Sequence, residues 1–393
     1  MNKAATFHAL CKLIVYNPRR KYNNQLVLFF TSAPNLEVLE VRGQFSGIPT
    51  AAFLYAISST SHNLKCIVVW CIISSKAVFD VLLCFRKLQT LDLSYIDCHI
   101  PRSFLKDCAS SMTSLQSLTI NLESFCSTED VGTPVSGGPL MALSPITFNL
   151  LSKLLLSGPP HDIENTLTIL HVPQLVVLSL GLISRDDENF TDISPVIQMF
   201  LALNGPYLKD GLWTLSLKFD FTLLNVKDYL DSFQIFTKLD TFEILASNAF
   251  FLTSDLASFL RENNVWSNLT VLHLSHHCLE VNQNQLANAL SIATLPLLAD
   301  SFPNLLHLLI TIDNPDQDAM KEIAADNLRK AHSLESLRFE YSLPCDWIYS
   351  TSTAVTFVSF LYQLFPKLKT VESFRHEEWV MMVQELLREA QTT

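Results

Sequence analysis

The chain has 393 residues, of which 49% are hydrophobic and only 17% charged, and its formal net charge is −11. This composition is too apolar for a disordered chain and supplies enough hydrophobic residues for a continuous core. The net charge is acidic, and the longest run of basic residues is the three at 19–21. The chain therefore lacks the concentrated positive charge that binds nucleic acids and anionic membranes. We therefore expect neither nucleic acid nor membrane as a partner.

The cysteines and the N-terminal segment indicate an intracellular location. The nine cysteines are odd in number and include no Cys-x-x-Cys pair, and Cys66 and Cys84 stand where apolar residues are expected. This pattern is typical of reduced thiols. The first apolar run is interrupted by His8 and Lys12, which is unlike a secretory signal. We expect a cytoplasmic or nuclear protein.

The most apolar stretch of the chain is 64–85, but it contains Lys65, Lys76 and Asp80. A bilayer-spanning helix needs about 20 predominantly apolar residues. The stretch is therefore predicted to be part of a protein core and not a membrane span.

One short pattern, apolar-x-x-apolar-x-apolar, recurs along the whole chain. From Leu10 to Leu368 there are 358 residues over 12 intervals, about 30 each, and single intervals range from 24 to 37. Leucine-rich repeats have periods of ~20–29 residues, with longer irregular variants. The copies begin at Leu10, Leu36, Leu64, Leu88, Leu115, Leu151, Leu175, Leu212, Leu239, Leu269, Leu305, Leu334 and Leu368.

The pattern predicts one strand in each copy, because its last two apolar positions are two residues apart and point to the same side. Parallel strands need long return connections, and several of these have helix signals. Ser194-Pro195 and Asn314-Pro315 are typical helix starts, and 255–260 and 283–298 also suit helices. We predict an α/β leucine-rich-repeat solenoid, ribonuclease-inhibitor-like with irregular repeats, with parallel strands on the concave face and helices on the convex face.

The pattern extends over nearly the whole chain, so 1–393 is predicted to be a single solenoid of about 13 repeats. Glycine- and proline-containing or charged stretches at 127–138, 158–160 and 185–189 all follow predicted strands and are interpreted as loop insertions. The segment 376–393 is predicted to be a C-terminal capping helix that covers the last repeat. Its apolar stripe consists of Trp379, Val380, Val383, Leu386 and Leu387.

The irregular period, together with the phrases at 301–310 (SFPNLLHLLI) and 332–339 (HSLESLRF), resembles the repeat region of fungal F-box/leucine-rich-repeat proteins. The resemblance covers nearly the whole chain. It implies that the repeats hold a protein to be ubiquitinated, while an F-box binds the adaptor of a cullin-type ubiquitin ligase. The first copy begins at Leu10, which leaves too few residues for a three-helix F-box. We therefore expect the F-box to be missing, and the ligase adaptor to be a partner only if an F-box lies upstream.

Motifs for catalysis or metal binding are weak. His273, His276, His277 and Cys278 are close together, but no second ligand pair follows at a zinc-site spacing. No Gly-x-Ser-x-Gly, His-Glu-x-x-His or glycine-rich phosphate loop occurs, and the chain has only nine glycines. We predict no catalytic, cofactor or metal site. An enzyme formed by the insertions at 121–150 or 181–195 is the alternative.

A protein-binding surface is predicted on the concave face. The residue between the last two apolar positions of each copy, and the residue that follows the copy, point away from the core. These positions supply Trp, Tyr and Arg, which dominate protein-binding hot spots, so a protein partner is the leading hypothesis and an independent scaffold or inhibitor the second. The predicted residues are Tyr16, Glu40, Arg42, Val68, Trp70, Asp92, Lys218, Glu243, His273, Arg338 and Glu340.

Overall fold

The computed structural model describes residues 8–17, 33–43, 47–71, 77–95, 100, 102–122, 145–183, 194–223, 226–249, 256, 259, 266–276, 290–312, 320, 332–339, 351–373 and 377–392. The chain forms two compact units, Met1–Leu208 and Lys209–Thr393.

The first unit contains a parallel sheet of successive strands joined by helices. The strands of this sheet are β1 (Lys12–Asn17), β2 (Val38–Gly43), β3 (Cys66–Cys71), β4 (Thr90–Leu93), β5 (Ser117–Asn121), β7 (Lys153–Gly158) and β9 (Val177–Leu182), hydrogen-bonded in that order. Two short strands, β6 (Ile146–Thr147) and β8 (Leu170–His171), form a separate parallel pair. The helices are α1 (Gly47–Thr60), α2 (Ala77–Leu82), α3 (Arg102–Ser111), α4 (Pro160–Leu167) and α5 (Ser194–Leu208).

The second unit repeats the same plan. Its strands, again parallel and paired in chain order, are β10 (Thr214–Leu223), β11 (Thr241–Ala249), β12 (Val271–His276), β13 (His307–Ile310), β14 (Ser336–Phe339) and β15 (Thr370–Ser373). Its helices are α6 (Val226–Phe233), α7 (Thr294–Ser301), α8 (Thr351–Leu364) and α9 (Glu377–Thr392).

Each of the thirteen sequence copies supplies one strand of these sheets, and equivalent positions are aligned between neighbours. Leu39, Ile67 and Leu91 are consecutive register partners in the first unit. Phe242, Leu272 and Leu308 are the equivalent partners in the second. All six are at most 2% exposed, so equivalent large apolar residues fill one layer of the core in successive repeats. This arrangement is the leucine-rich-repeat fold and confirms the predicted fold class.

A tight turn precedes many strands and explains the recurring Pro-Asn-Leu phrases. The Leu36 N–H donates to the carbonyl of Ala33, and the Leu305 N–H donates to that of Phe302, both at 3.0 Å. Proline fits the second position of such a turn because its φ is already fixed near the required value. Pro34 therefore prepares the chain for the leucine that starts the repeat.

The predicted register is correct for the buried side. Its marker leucines in both units are at most 2% exposed: Leu91, Leu93, Leu178, Leu180, Leu215, Leu217, Leu272 and Leu274. On the opposite side of the strands Asp92, Ser179 and His273 are partly exposed, as predicted. The prediction is wrong for Ser216, which is 5% exposed. Its short side chain stands beside the larger Glu243 in the register and does not extend beyond it.

The helix predictions are confirmed in part by the described residues. Helix α5 begins at Ser194, as predicted. Within the segment 283–298 the helix α7 begins only at Thr294, because Leu290 forms a β-bridge with Ile312 and 291–293 is not helical. The interpretation of 158–160 as a loop insertion is wrong, because β7 ends at Gly158 and α4 begins at Pro160. Gly158 makes this abrupt change of direction with a φ of 144°, which is strained for any residue with a side chain.

The expected C-terminal helix is α9, which covers β15. Trp379, Val383 and Leu387 are at most 1% exposed. The Gln384 side chain accepts a hydrogen bond from the Val371 N–H at 2.8 Å and donates to the carbonyl of Lys369. These bonds occupy backbone groups of β15, the last strand of the described sheet, which would otherwise face solvent. Among the described helices, none is long and apolar enough to cross a bilayer.

Candidate functional site

Six of the predicted binding residues come together on one face of the first unit. Glu40, Val68 and Asp92 are consecutive register partners on β2, β3 and β4. Tyr16, Arg42 and Trp70 form the next row along the same strands. We call the side of each sheet opposite the core leucines its strand face.

Aromatic rings and a guanidinium stack at the centre of this region. The Arg42 guanidinium carbon lies 4.3 Å from the centre of the Trp70 ring, within the range of a cation–π interaction. The Trp70 and Tyr95 ring centres are 4.8 Å apart at an interplanar angle of 57°. Ile14, Tyr16 and Tyr95 are each more than half exposed, at 51%, 68% and 62%. The aromatic–basic surface is defined here as Lys12, Ile14, Tyr16, Arg42, Trp70 and Tyr95.

Glu40 was expected to be part of the exposed binding surface, but it is only 7% exposed. Its carboxylate lies between two cations, with Lys12 Nζ at 2.6 Å from one oxygen and Arg42 at 2.6 Å from the other. The hydrogen bond from Lys12, with a further contribution from Arg42, lowers the pKa of Glu40. The side chain is covered by these cations, and its ion pairs hold Lys12 and Arg42 in place.

Sequence reasoning missed Lys12 and Tyr95 as members of this surface. Lys12 is the first residue of β1, and this position also points to the strand face. Its register partners on the next two strands are Val38 and Cys66. The alternation of side chains along a strand could have identified Lys12. Tyr95 follows the end of β4, and only the ring contact with Trp70 reveals its place.

Glu243 and His273 form the best-defined polar pair in the second unit. They are register partners on β11 and β12, and His273 Nδ1 is 2.9 Å from a Glu243 carboxylate oxygen. Hydrogen bonding from His273 lowers the pKa of Glu243. Serine hydrolases need the imidazole between the serine and the carboxylate. Here the register places Glu243 between Ser216 and His273, so this group has the wrong order for that chemistry.

The remaining predicted residues of the second unit are spread along its strand face. Lys218 is exposed, and Arg338 lies 3.9 Å from Glu372 on the adjacent strand, a loose contact between exposed groups. Glu340 lies outside the described residues. The structure therefore brings together no second cluster comparable to the aromatic–basic surface among the predicted residues that it describes.

The strand face of the first unit changes character beyond β4. Thr119, Ser157 and Ser179 are small polar residues there. At Gly181 an added Cβ would stand 3.2 Å from the Ser157 Cβ, which is tighter than ordinary contact. Among the described strand-face residues of the first unit, the large aromatic side chains Tyr16 and Trp70 therefore lie on the N-terminal strands.

A metal centre has no support in the part of the chain that the structure describes. No group of three or more His, Cys, Asp or Glu side chains in that part is arranged to hold a metal ion. His277 and Cys278 of the histidine-rich motif lie outside the described residues. Most of the two insertions at 121–150 and 181–195, considered for an enzyme site, also lies outside them.

No protein-family model and no curated protein sequence matches the chain. Among solved structures, the leucine-rich repeat-containing protein LegL7 from Legionella pneumophila aligns over 97% of this chain and 98% of its own, with a TM-score of 0.42 and 14% identity. TLR13, in a complex with ssRNA13, aligns over 86% of this chain and 49% of its own, with a TM-score of 0.37 and 15% identity. The leucine-rich-repeat fold of this chain rests on its own strand register and buried leucine rows.

Proposed function

We propose that this protein is a non-enzymatic protein-binding module and that its partner contacts the aromatic–basic surface of the first unit. The observation that carries the proposal is the group of Arg42, Trp70 and Tyr95, which contact one another on the strand face. Trp, Tyr and Arg are the residue types most enriched among hot spots of protein interfaces.

Exposure of these side chains supports the proposal. Single exposed apolar residues are common on any protein, whereas a contiguous group with a polar border is typical of an interaction site. Ile14 and Tyr16 lie on the same strand, two residues apart, and therefore point to the same side. With Tyr95 they surround the Arg42–Trp70 stack, so the exposed apolar area is continuous with the charged groups of Lys12 and Arg42.

The finer proposal, from the family resemblance, is that these repeats act as the substrate-recognition part of an F-box protein of a cullin-type ubiquitin ligase, in the cytoplasm or nucleus. The alternative is an independent leucine-rich-repeat scaffold or inhibitor unrelated to ubiquitination. These two functions place the same binding face in different assemblies. They differ in one observable, the presence of the ligase adaptor and cullin in complexes of the full chain.

Comparative capture from cell extract tests the proposal. The bait proteins are the full chain, a strand-face variant carrying Tyr16→Ser and Tyr95→Ser, and a control variant carrying Tyr55→Ser and Tyr207→Ser. All four tyrosines are at least 54% exposed, so neither variant empties the core. Tyr55 lies on α1 and Tyr207 on α5, away from the strand face.

We expect the unmodified chain and the control variant to capture the same partner protein in equal amounts. The strand-face variant should capture at least about tenfold less of it, since hot-spot truncations cost ~2 kcal/mol or more of binding free energy. Co-purification of adaptor and cullin supports the ligase assignment, and their absence supports the scaffold. If the strand-face variant retains every partner as well as the control does, the surface is not the binding site.

A further inference from the structure

We infer that the segment seated on the aromatic–basic surface is an extended acidic peptide with alternating apolar side chains. This inference rests on the proposed function, because it assigns the chemistry of the partner at that same surface. It follows from an unequal exposure of the charges there.

The two cations and their counter-ion are not equally accessible. The side chains of Lys12 and Arg42 are 54% and 38% exposed, whereas that of Glu40 is 9% exposed. Solvent and any approaching molecule therefore meet two positive groups whose negative partner lies beneath them. Charge complementarity favours carboxylates at this position. The guanidinium of Arg42 has five N–H donors, more than its contact with Glu40 occupies, so it can also donate to a carboxylate of the partner.

The same surface supplies apolar contacts next to the cations. Ile14 and Tyr16 border one side of the Arg42–Trp70 stack, and Tyr95 borders the other. Strands are spaced about 4.8 Å apart, so the distance across β1 to β4 is about 14 Å, which matches roughly four residues of an extended chain. An extended segment that lies with one edge of its backbone toward the strand face directs alternate side chains to its two sides, so that one set lies over the rings and the other brings carboxylates to Lys12 and Arg42.

Single-stranded nucleic acid also combines negative charge with stacking groups, but the charges present favour a peptide. A strand of RNA places a phosphate at every nucleotide and needs a continuous positive track. The row of Glu40, which lies between the two cations, continues through Val68 to Asp92, whose carboxylate would repel the next phosphates. Two cations next to an acid suit a short segment with a few carboxylates and not a continuous chain of phosphates.

Binding of defined probes to the full chain tests the inference. The probes are a six-residue blocked peptide of alternating leucine or phenylalanine with aspartate or glutamate, its asparagine/glutamine counterpart, its lysine counterpart, and an octamer of single-stranded oligouridine. Affinity is measured by fluorescence anisotropy at two salt concentrations. The proteins are the unmodified chain, Lys12→Gln, Lys12→Arg, Arg42→Gln and, as the matched control, Lys65→Gln. Lys65 is 49% exposed and pairs with Glu37 at 2.9 Å, as Lys12 pairs with Glu40, but it precedes β3.

We expect the acidic peptide to bind about tenfold more tightly than the amide peptide, which corresponds to one charge-assisted hydrogen bond. This preference should shrink in Lys12→Gln and Arg42→Gln, persist in Lys12→Arg and Lys65→Gln, and weaken with salt. Because Lys12→Arg keeps the charge above Glu40, it separates a loss of recognition from a loss of folding.

Other results overturn the inference in distinguishable ways. Equal or tighter binding of the amide or lysine peptide contradicts the acidic chemistry while leaving a protein-binding surface in place. Tighter binding of the oligouridine assigns the surface to nucleic acid instead. If no probe binds, the acidic segment is rejected, and the proposed function is then decided by the capture experiment alone.

Discussion

Glu37 and Lys65 are joined twice, once through the backbone and once through their side chains. The Glu37 carbonyl accepts the Lys65 N–H at 2.9 Å, and the Lys65 ammonium lies 2.9 Å from the Glu37 carboxylate. Glu335 and Lys369 repeat both contacts in the second unit, at 2.8 Å each. These residues occupy the position just after the first leucine of their copies.

That position forms a continuous backbone ladder in each unit. The Lys65 carbonyl accepts N–H groups from both Gln89 and Thr90, at 2.8 and 2.9 Å. Equivalent carbonyls that also accept two bonds belong to Cys11, Glu37, Gln89, Gln116 and Ser152 in the first unit and to Trp213, Asp240, Thr270, Leu306 and Glu335 in the second. The backbone makes this connection between repeats at every one of these positions, and the side chains of Glu37 with Lys65 and of Glu335 with Lys369 add ion pairs to it.

The first prediction concerns the register of the strands. Leu178→Ala should lower the free energy of unfolding by about 2–5 kcal/mol because Leu178 is 2% exposed. Ser179→Ala, one residue further on the strand face, should change it by no more than about 0.5 kcal/mol. Urea unfolding followed by circular dichroism measures both. A larger loss for the serine variant than for the leucine variant would show that the register is shifted by one residue.

A second prediction concerns the covering of the last strand. Replacing Gln384 by leucine removes the acceptor of the Val371 N–H, so hydrogen exchange at that amide should become about fivefold faster, for a hydrogen bond worth about 1 kcal/mol. Gln363→Leu is the control, because Gln363 is an exposed glutamine on α8. Unchanged exchange at Val371 in the Gln384 variant would mean that this side chain does not protect the edge of the sheet.

Stability at mildly acidic pH should depend on His332. Its Nε2 donates to the carbonyl of Phe302 at 2.9 Å, and its Nδ1 accepts the Leu334 N–H, so the folded protein holds a neutral imidazole. Burial lowers the pKa of His332 from its ordinary value of 6.5. Its stabilising contribution is therefore present above pH 6.5 and is lost as the pH falls through the lowered value.

Melting temperatures at about pH 8 and about pH 5 test this dependence. The unmodified chain and a His62→Gln control, in which an exposed histidine is removed, should lose stability between the two conditions. A His332→Gln variant should lose less. An equal loss in all three proteins would contradict the assignment.

The contribution of Glu40 to stability should also be lost on acidification, but at a lower pH than that of His332. Lys12 and Arg42 lower its pKa from 4.5, so its contribution is present above pH 4.5 and disappears as the pH falls through the lowered value. Glu40→Gln should cost on the order of 1 kcal/mol at neutral pH, because the two cations remain partly solvated and solvent screens the pair. Between about pH 6 and about pH 3 the variant should show a flatter stability profile than the unmodified chain. Parallel profiles would rule out the charge pair as the cause.

The alternation of Leu91, Asp92 and Leu93 was sufficient to predict both the strand and its register, because burial repeats every second residue. The same rule could not show that Glu40 is covered or that Ser216 is buried. Those outcomes depend on the sizes and charges of neighbouring side chains, namely Lys12, Arg42 and Glu243. Tyr95 was missed for the same reason, since its place next to Trp70 depends on the turn after β4. A single continuous solenoid over 1–393 stays a prediction.

Site-specific photocrosslinking tests the central claim most directly. A photoreactive phenylalanine replaces Tyr16 on the strand face in one protein and Tyr55 on α1 in another; the two tyrosines are 68% and 63% exposed. After irradiation in cell extract, the protein labelled at position 16 should form a discrete covalent adduct that the protein labelled at position 55 does not form. An adduct of equal yield at position 55, or at position 55 alone, would place the binding site on the helices and contradict the account.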